Sequence, residues 1–279
     1  MSIQTRAGFK KEYLAFFRTR TFIIIACVVI GLSLVNPLLV SGLGSMMDSM
    51  SDIYDEMGMD VSGMTAFLAS SAAVGMILSI EAVTGTSLIV VLLLLNKTAG
   101  GELKKRSIII PKSAGLRSFA YIFPKFIIYP ITIFILAFLA ILASWPLSVW
   151  LFEVNDVTVD SVLLAGVLSG VSMMFYVCCH LALGTATGRA GMSAAVLISA
   201  SIILPMVFAA VDLEYMFNPF ALGTLASAAV QLGLTSGSFL TDNLISIAFA
   251  LGIMLVTYLI ALFAQNARKI DNSGDEIEL

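Results

Sequence analysis

The chain has 279 residues, 59% apolar and only 12% charged, where a soluble domain carries about 25% charged residues. With a mean hydropathy of +1.01, that composition excludes a soluble globular protein. The near balance of 15 basic and 18 acidic residues, with three cysteines, also excludes a nucleic-acid binder, a disordered tail and a disulfide scaffold.

A polytopic membrane protein remains. A helix needs about 20 apolar residues to cross about 30 Å of hydrocarbon. Apolar runs broken by charge predict six such helices, over 22–44, 66–95, 120–151, 161–187, 192–211 and 243–264. The runs are long and continuous, without the ten-residue alternation of a barrel strand, so the expected fold is an all-α six-helix transmembrane bundle. One membrane domain, 1–279, accounts for the chain, with an interfacial helix over 1–21, a loop over 96–119 and a tail over 266–279.

In chain order, Phe9, Tyr13, Phe16 and Phe17 recur at i, i+4, i+7 and i+8, while Lys10, Lys11 and Arg18 occupy other faces. This predicts an amphipathic helix along the lipid headgroups, aromatic bodies in the lipid and cations on anionic heads. It serves as an anchor and topology signal, or as an elbow that also touches a cytoplasmic partner. The first apolar run follows this basic segment, is too long for a signal h-region and is read as a span.

Beyond the first span, Met46, Met47, Met50, Met57, Met59 and Met64 stand among acids. Thioethers are soft copper ligands, but a short amphipathic helix uses the same residues as apolar filler. Glu81 lies near the middle of the second span, where a charged carboxylate costs about 3 kcal/mol and no Lys or Arg is expected at its depth. It is either a substrate or ion contact, or a neutral carboxyl bonded to Ser79, Thr84, Thr86 or a hydroxyl of another span.

The loop after the second span combines Gly100-Gly101, the charged stretch Glu102, Lys104, Lys105 and Arg106, the apolar run Ile108, Ile109 and Ile110, and then Pro111 and Arg117. Three consecutive isoleucines outside a span are expected to be covered, by a protein partner or by the membrane. In the fourth span, Cys178-Cys179-His180 is not a metal site, because adjacent helical residues point about 100° apart. Gly166 and Gly170, and Gly184 with Gly188, mark a small-residue packing face there. Pro37, Pro124, Pro130, Pro146 and Pro205 free carbonyls within spans. The stretch 217–234, opened by Asn218-Pro219-Phe220, is borderline for spanning and is read as a re-entrant or outer-surface helix.

Charge sets the expected orientation. Arg6, Lys10, Lys11, Arg18 and Arg20 precede span one; Lys97, Lys104, Lys105, Arg106, Lys112, Arg117 and Lys125 lie between spans two and three; Arg189 separates spans four and five; and Arg268 and Lys269 follow span six. These are all 15 basic residues, and every one falls on the same side. The opposite loops carry acids and no Lys or Arg, so both termini are expected in the cytoplasm.

These features resemble an ABC-2 type transporter permease: a basic start from Phe9-Lys10-Lys11-Glu12-Tyr13 to Arg20, six spans with both ends inside, and a loop holding Glu102, Ile108 to Ile110, Pro111, Arg117 and Lys125-Phe126. The resemblance implies a subunit of an exporter in a prokaryotic cytoplasmic membrane. It implies pairing with a second permease copy, identical or a close paralogue, each copy resting its loop on a separate ABC ATP-binding subunit that supplies ATP and Mg. The chain has no G-x-x-x-x-G-K-[ST] loop, so no nucleotide cofactor is expected on it. With one histidine and no H-E-x-x-H, it is expected not to be an enzyme. The alternative is an ion- or proton-coupled secondary transporter or channel using Glu81.

Overall fold

A computed structural model of the chain describes residues 3–50, 71–102, 115–152, 154, 156–210, 218–232, 237–267, 269–270 and 276–277. The helices are α1 (Ile3–Phe17), α2 (Arg20–Ser49), α3 (Ala72–Glu81), α4 (Leu88–Leu94), α5 (Ser118–Leu151), α6 (Val159–Thr187), α7 (Ala190–Ala210), α8 (Leu222–Leu232) and α9 (Gly237–Ala267). A two-residue antiparallel ladder pairs Lys269 with Ile277 and Ile270 with Glu276. Six stretches are long and apolar enough to cross a membrane: Arg20–Met46, Ala72–Gly101, Ser118–Leu151, Val159–Thr187, Ala190–Phe208 and Asn243–Ala267. The protein is a multi-pass membrane protein. Each expected span has its helix, and of the expected span residues 66–70 and 211 lie outside the described residues.

The second span is not a uniform α-helix. α3 passes into π-helical turns over Ala82–Ser87, returns to α4, and ends in π turns over Lys97–Gly101. Single π turns inside helices occur disproportionately at functional positions, and the first begins directly after Glu81. The helix also runs through the opening of the expected 96–119 loop as far as Glu102.

α6 is the central helix, with 78% of its spanning window buried, against 17% for the windows of α7 and α9. Its small residues admit neighbours. Phe138 lies against Gly166 and Phe134 against Gly170, the two rings stacked at 6.2 Å. At Gly184, an added Cβ would stand 2.7 Å from Ala99 Cβ, and one at Gly100 would stand 2.6 Å from the Gly184 carbonyl. The second span and α6 therefore cross backbone to backbone. α6 ends at Gly188, left-handed at φ 68° with its N–H bonded to the Gly184 carbonyl, a conformation glycine adopts without strain.

Interhelical hydrogen bonds tie the interior, where no water is available to the backbone. Ser79 donates to the Ser33 carbonyl at 2.8 Å, and Ser33 Oγ donates to the Ala140 carbonyl at 2.9 Å, joining α3, α2 and α5. At the end away from the termini, Asp156 Oδ1 accepts from the Ala73 N–H at 3.2 Å, a carboxylate at the positive end of α3.

α8 resolves the ambiguous 217–234 stretch. A 3₁₀ turn over Pro219–Ala221 opens it, and Asn218 Oδ1 accepts from the Phe220 N–H at 3.0 Å. Phe220 meets Phe175 and Tyr176 midway along α6, with centroids 5.2 and 5.8 Å apart, and Gly223 abuts Thr84 midway along the second span. From there α8 packs along α3. The segment thus reaches the middle depth of the bundle and does not cross it, which is the re-entrant alternative.

Candidate functional site

Two places gather polar groups. The first lies at the bundle end that carries both α1 and the end of α9, where Tyr258 meets Phe126 at 5.5 Å. Lys125, eight residues into α5, has a side chain only 2% exposed. Its Nζ donates to Glu102 Oε2 at 2.6 Å, to Tyr121 OH at 2.9 Å and to the Thr98 carbonyl at 3.2 Å, so all three ammonium hydrogens have acceptors. Tyr121 OH donates to the same Glu102 oxygen at 2.7 Å. Lys11 of α1 stands 3.3 Å from Glu102 Oε1 and 3.2 Å from Glu12 Oε1, and Tyr129 OH donates to Glu12 Oε2 at 3.0 Å. Among the described residues, two cations, two carboxylates and two phenols thus form one network joining α1, the end of the second span and the start of α5.

The electrostatics follow from that arrangement. Burial opposes ionisation of Glu102, but the Lys125 ammonium and its hydrogen bond, then Lys11, outweigh it and hold the carboxyl at about 2, below its ordinary 4.5. Burial also disfavours charge on Lys11, yet Glu12 and Glu102 raise its pKa above the ordinary 10.5. Gln4 adds a neutral tie: its side chain donates to the Gly115 carbonyl and accepts from the Arg117 N–H, at 3.2 and 3.4 Å.

Of the expected coupling residues, Glu102 belongs to this network and Arg117 is exposed beside it at the start of α5. Lys104, Lys105, Arg106, Ile108, Ile109, Ile110 and Pro111 lie outside the described residues. In α1, Lys10 and Tyr13 are exposed, Phe17 is half-buried and Phe9 packs edge-on against Phe123, and Arg18 is exposed in the turn that follows. Phe16 departs from the expectation that the aromatic bodies face lipid: it is buried between Phe17, Phe22 and Tyr129, because α1 lies on α5 and α5 covers that stripe. Lys11 likewise points to carboxylates of the chain itself.

Sequence reading missed Glu12, Tyr121 and Tyr129. A signal was present: Tyr121, Lys125 and Tyr129 recur every four residues and so share one stripe of α5, and Glu12 is the one acid in a basic segment.

The second place is a cavity of about 310 Å³ at mid-depth, among its lining Glu81, Thr84, Tyr176, Ser201, Phe220 and Thr224. Glu81 is exposed to it, and no described side chain bonds to the carboxylate. Two of the hydroxyls expected to hold it are engaged elsewhere: Ser79 donates to the Ser33 and Gly75 carbonyls, and Thr84 to the Ile80 carbonyl.

Cys178, Cys179 and His180 are buried in α6. His180 Nδ1 and Ser193 Oγ lie 2.8 Å apart, and Ser193 Oγ donates back to the His180 carbonyl at 3.0 Å, tying α6 to α7. Among the described residues, no group of three or more His, Cys, Asp or Glu side chains is placed to hold a metal ion.

No protein-family model, no curated protein and no solved structure matches the chain.

Proposed function

We propose that this chain is the membrane-spanning permease subunit of an ATP-driven exporter of the ABC-2 type. It works as a dimer, with an identical copy or a close paralogue, in a prokaryotic cytoplasmic membrane with both termini inside. Separate ATP-binding subunits supply ATP and Mg. The observation that supports this reading most is the network of Lys11, Glu12, Glu102 and Lys125, which fastens α1, the second span and α5 together at the root of the 103–114 segment. A partner pressing on that segment would load three membrane elements at once. Two arrangements of one packed unit are what a nucleotide-driven switch requires.

The decisive experiment is gentle purification of the tagged protein from its native membrane. A Walker-motif ATPase is expected in equal amount, and reversing charge at Lys104, Lys105 and Arg106 is expected to deplete it while reporter fusions show unchanged orientation. Purification with no ATPase overturns the proposal.

A second reading draws on the Glu81 carboxyl, which no described side chain bonds and which lines a mid-depth cavity: an ion- or proton-coupled transporter or channel working through Glu81. Transport in vesicles that follows an ion gradient and ignores ATP selects it.

A further inference from the structure

The composition of the Glu81 cavity is selective. Thr84 Oγ1 donates to the Ile80 carbonyl at 2.8 Å, Ser201 Oγ to the Ile198 carbonyl at 2.8 Å, and Ser227 Oγ to the Gly223 carbonyl at 3.5 Å. Each hydroxyl hydrogen is thus committed to its own helix, and each oxygen keeps lone pairs for an occupant. Together with Glu81 these make an acceptor-rich wall, and among the described lining residues none is cationic. The remaining wall adds the hydroxyls of Ser172, Tyr176 and Thr224 to an apolar and aromatic face of Ile89, Ile202, Pro205, Tyr176 and Phe220, the last two rings 5.8 Å apart.

Anions are disfavoured beside an uncompensated carboxylate. A neutral solute forms no ion pair with Glu81 and so gains nothing from an acid placed at this depth. A hard metal cation prefers to be surrounded by oxygens, which the aromatic half of the cavity does not offer. One class uses both halves: an ammonium that donates N–H bonds to Glu81 and the hydroxyl oxygens, carrying an apolar body that lies against the rings, which also attract cations.

We propose that the cavity lined by Glu81, Thr84, Ser201 and Phe220 binds a small protonated amine with an apolar body. As the cargo class of the permease, this rests on the function proposed above; as a binding site, it needs no ATPase.

The test uses the full chain in lipid nanodiscs, calorimetric titration, and empty nanodiscs as the baseline. The probes are 2-phenylethylammonium and 2-phenylethanol, which share a body and differ in charge, with sodium chloride as competitor. The ammonium is expected to bind saturably and at least about tenfold more tightly than the alcohol, as a charge-assisted pair implies. Glu81→Gln is expected to remove that preference. Glu81 bonds to no described side chain, so packing is retained, and an unchanged gel-filtration profile checks this. Thr84→Val keeps the shape, removes an acceptor, and is expected to weaken the ammonium about fivefold. Equal affinities for ammonium and alcohol, no saturable binding, or ammonium affinity unchanged in Glu81→Gln overturns the proposal. Displacement by equimolar sodium also overturns it, in favour of an alkali-ion site. A negative titration leaves the ATPase co-purification result standing, and a missing ATPase leaves the titration standing.

Discussion

A lysine ammonium with 2% of its side chain exposed persists at Lys125 because Glu102, Tyr121 and the Thr98 carbonyl take all its hydrogens. Removing the charge of Glu102 therefore costs more than one contact. Glu102→Gln strands a buried cation and is expected to destabilise the protein by about 3 kcal/mol, the scale for breaking a buried pair on one side. A thermal shift in nanodiscs reads it. Charge-neutralising both partners, as Glu102→Gln with Lys125→Met, is expected to recover much of the loss, since a buried pair as a whole adds little. The pH dependence has a definite sign. The Glu102 pKa is depressed from 4.5 to about 2, so its stabilisation is full above 4.5 and lost as pH falls toward 2. Lys11 is raised from 10.5, so its contribution is full below 10.5 and lost as pH rises through the higher folded value. Thermal stability is expected to decline below about pH 4.5 in the wild type, and less steeply in Glu102→Gln.

At the scale of elements, α1 is seated by a proline it does not contain. Pro124 has no N–H, so the Ala120 carbonyl loses its helical donor. Gly8 of α1 lies directly against that carbonyl, with no room for a Cβ. Gly8→Ala is therefore expected to lift α1 from α5 and cost about 2 kcal/mol, the usual scale for overpacking. Gly31→Ala and Gly42→Ala, where an added Cβ meets nothing within 4 Å, are expected to be neutral or slightly stabilising. Melting temperatures of the three variants check the contrast. None of this contact was legible in sequence, since it depends on which turn of α5 meets α1. The six spans were legible, because twenty apolar residues in a row are a local signal. Their ends were less so: the sixth span begins at Asn243 as expected but runs to Ala267, and the second continues to Gly101, because helix ends answer to packing as well as hydropathy. Glu81 stood out as a lone charge in an apolar run. Its cavity did not, because it requires the re-entrant turn at Pro219 and the π turns after Glu81. The network at Lys125 was hidden in a 34-residue apolar helix, where a four-residue repeat of Tyr121, Lys125 and Tyr129 competes with many hydrophobic periodicities.

For the whole molecule, sidedness is the quantity on which coupling depends. Arg18, Arg20, Lys97, Arg117 and Arg189 collect at the bundle end that holds α1, whereas Asp156 caps α3 at the other. Basic residues beside span ends are held in the cytoplasm, so the α1 end is expected to face inward. Impermeant maleimide labelling tests this on intact cells. The native thiols are a quiet background: Cys178 and Cys179 are buried, and Cys27 lies within the apolar α2, where the surrounding medium is lipid and an impermeant reagent does not enter. Ser49→Cys, at the far end of α2, is expected to react from outside without permeabilisation. Lys10→Cys, exposed on α1, is expected to react only once the membrane is opened. The reverse pattern would put the Lys11, Glu102 and Lys125 network outside the cell, beyond reach of any cytoplasmic ATPase, and the permease proposal would fail with it. The expected pattern places that network where a nucleotide-driven partner can act on it, while the Glu81 cavity stays at mid-depth in either orientation.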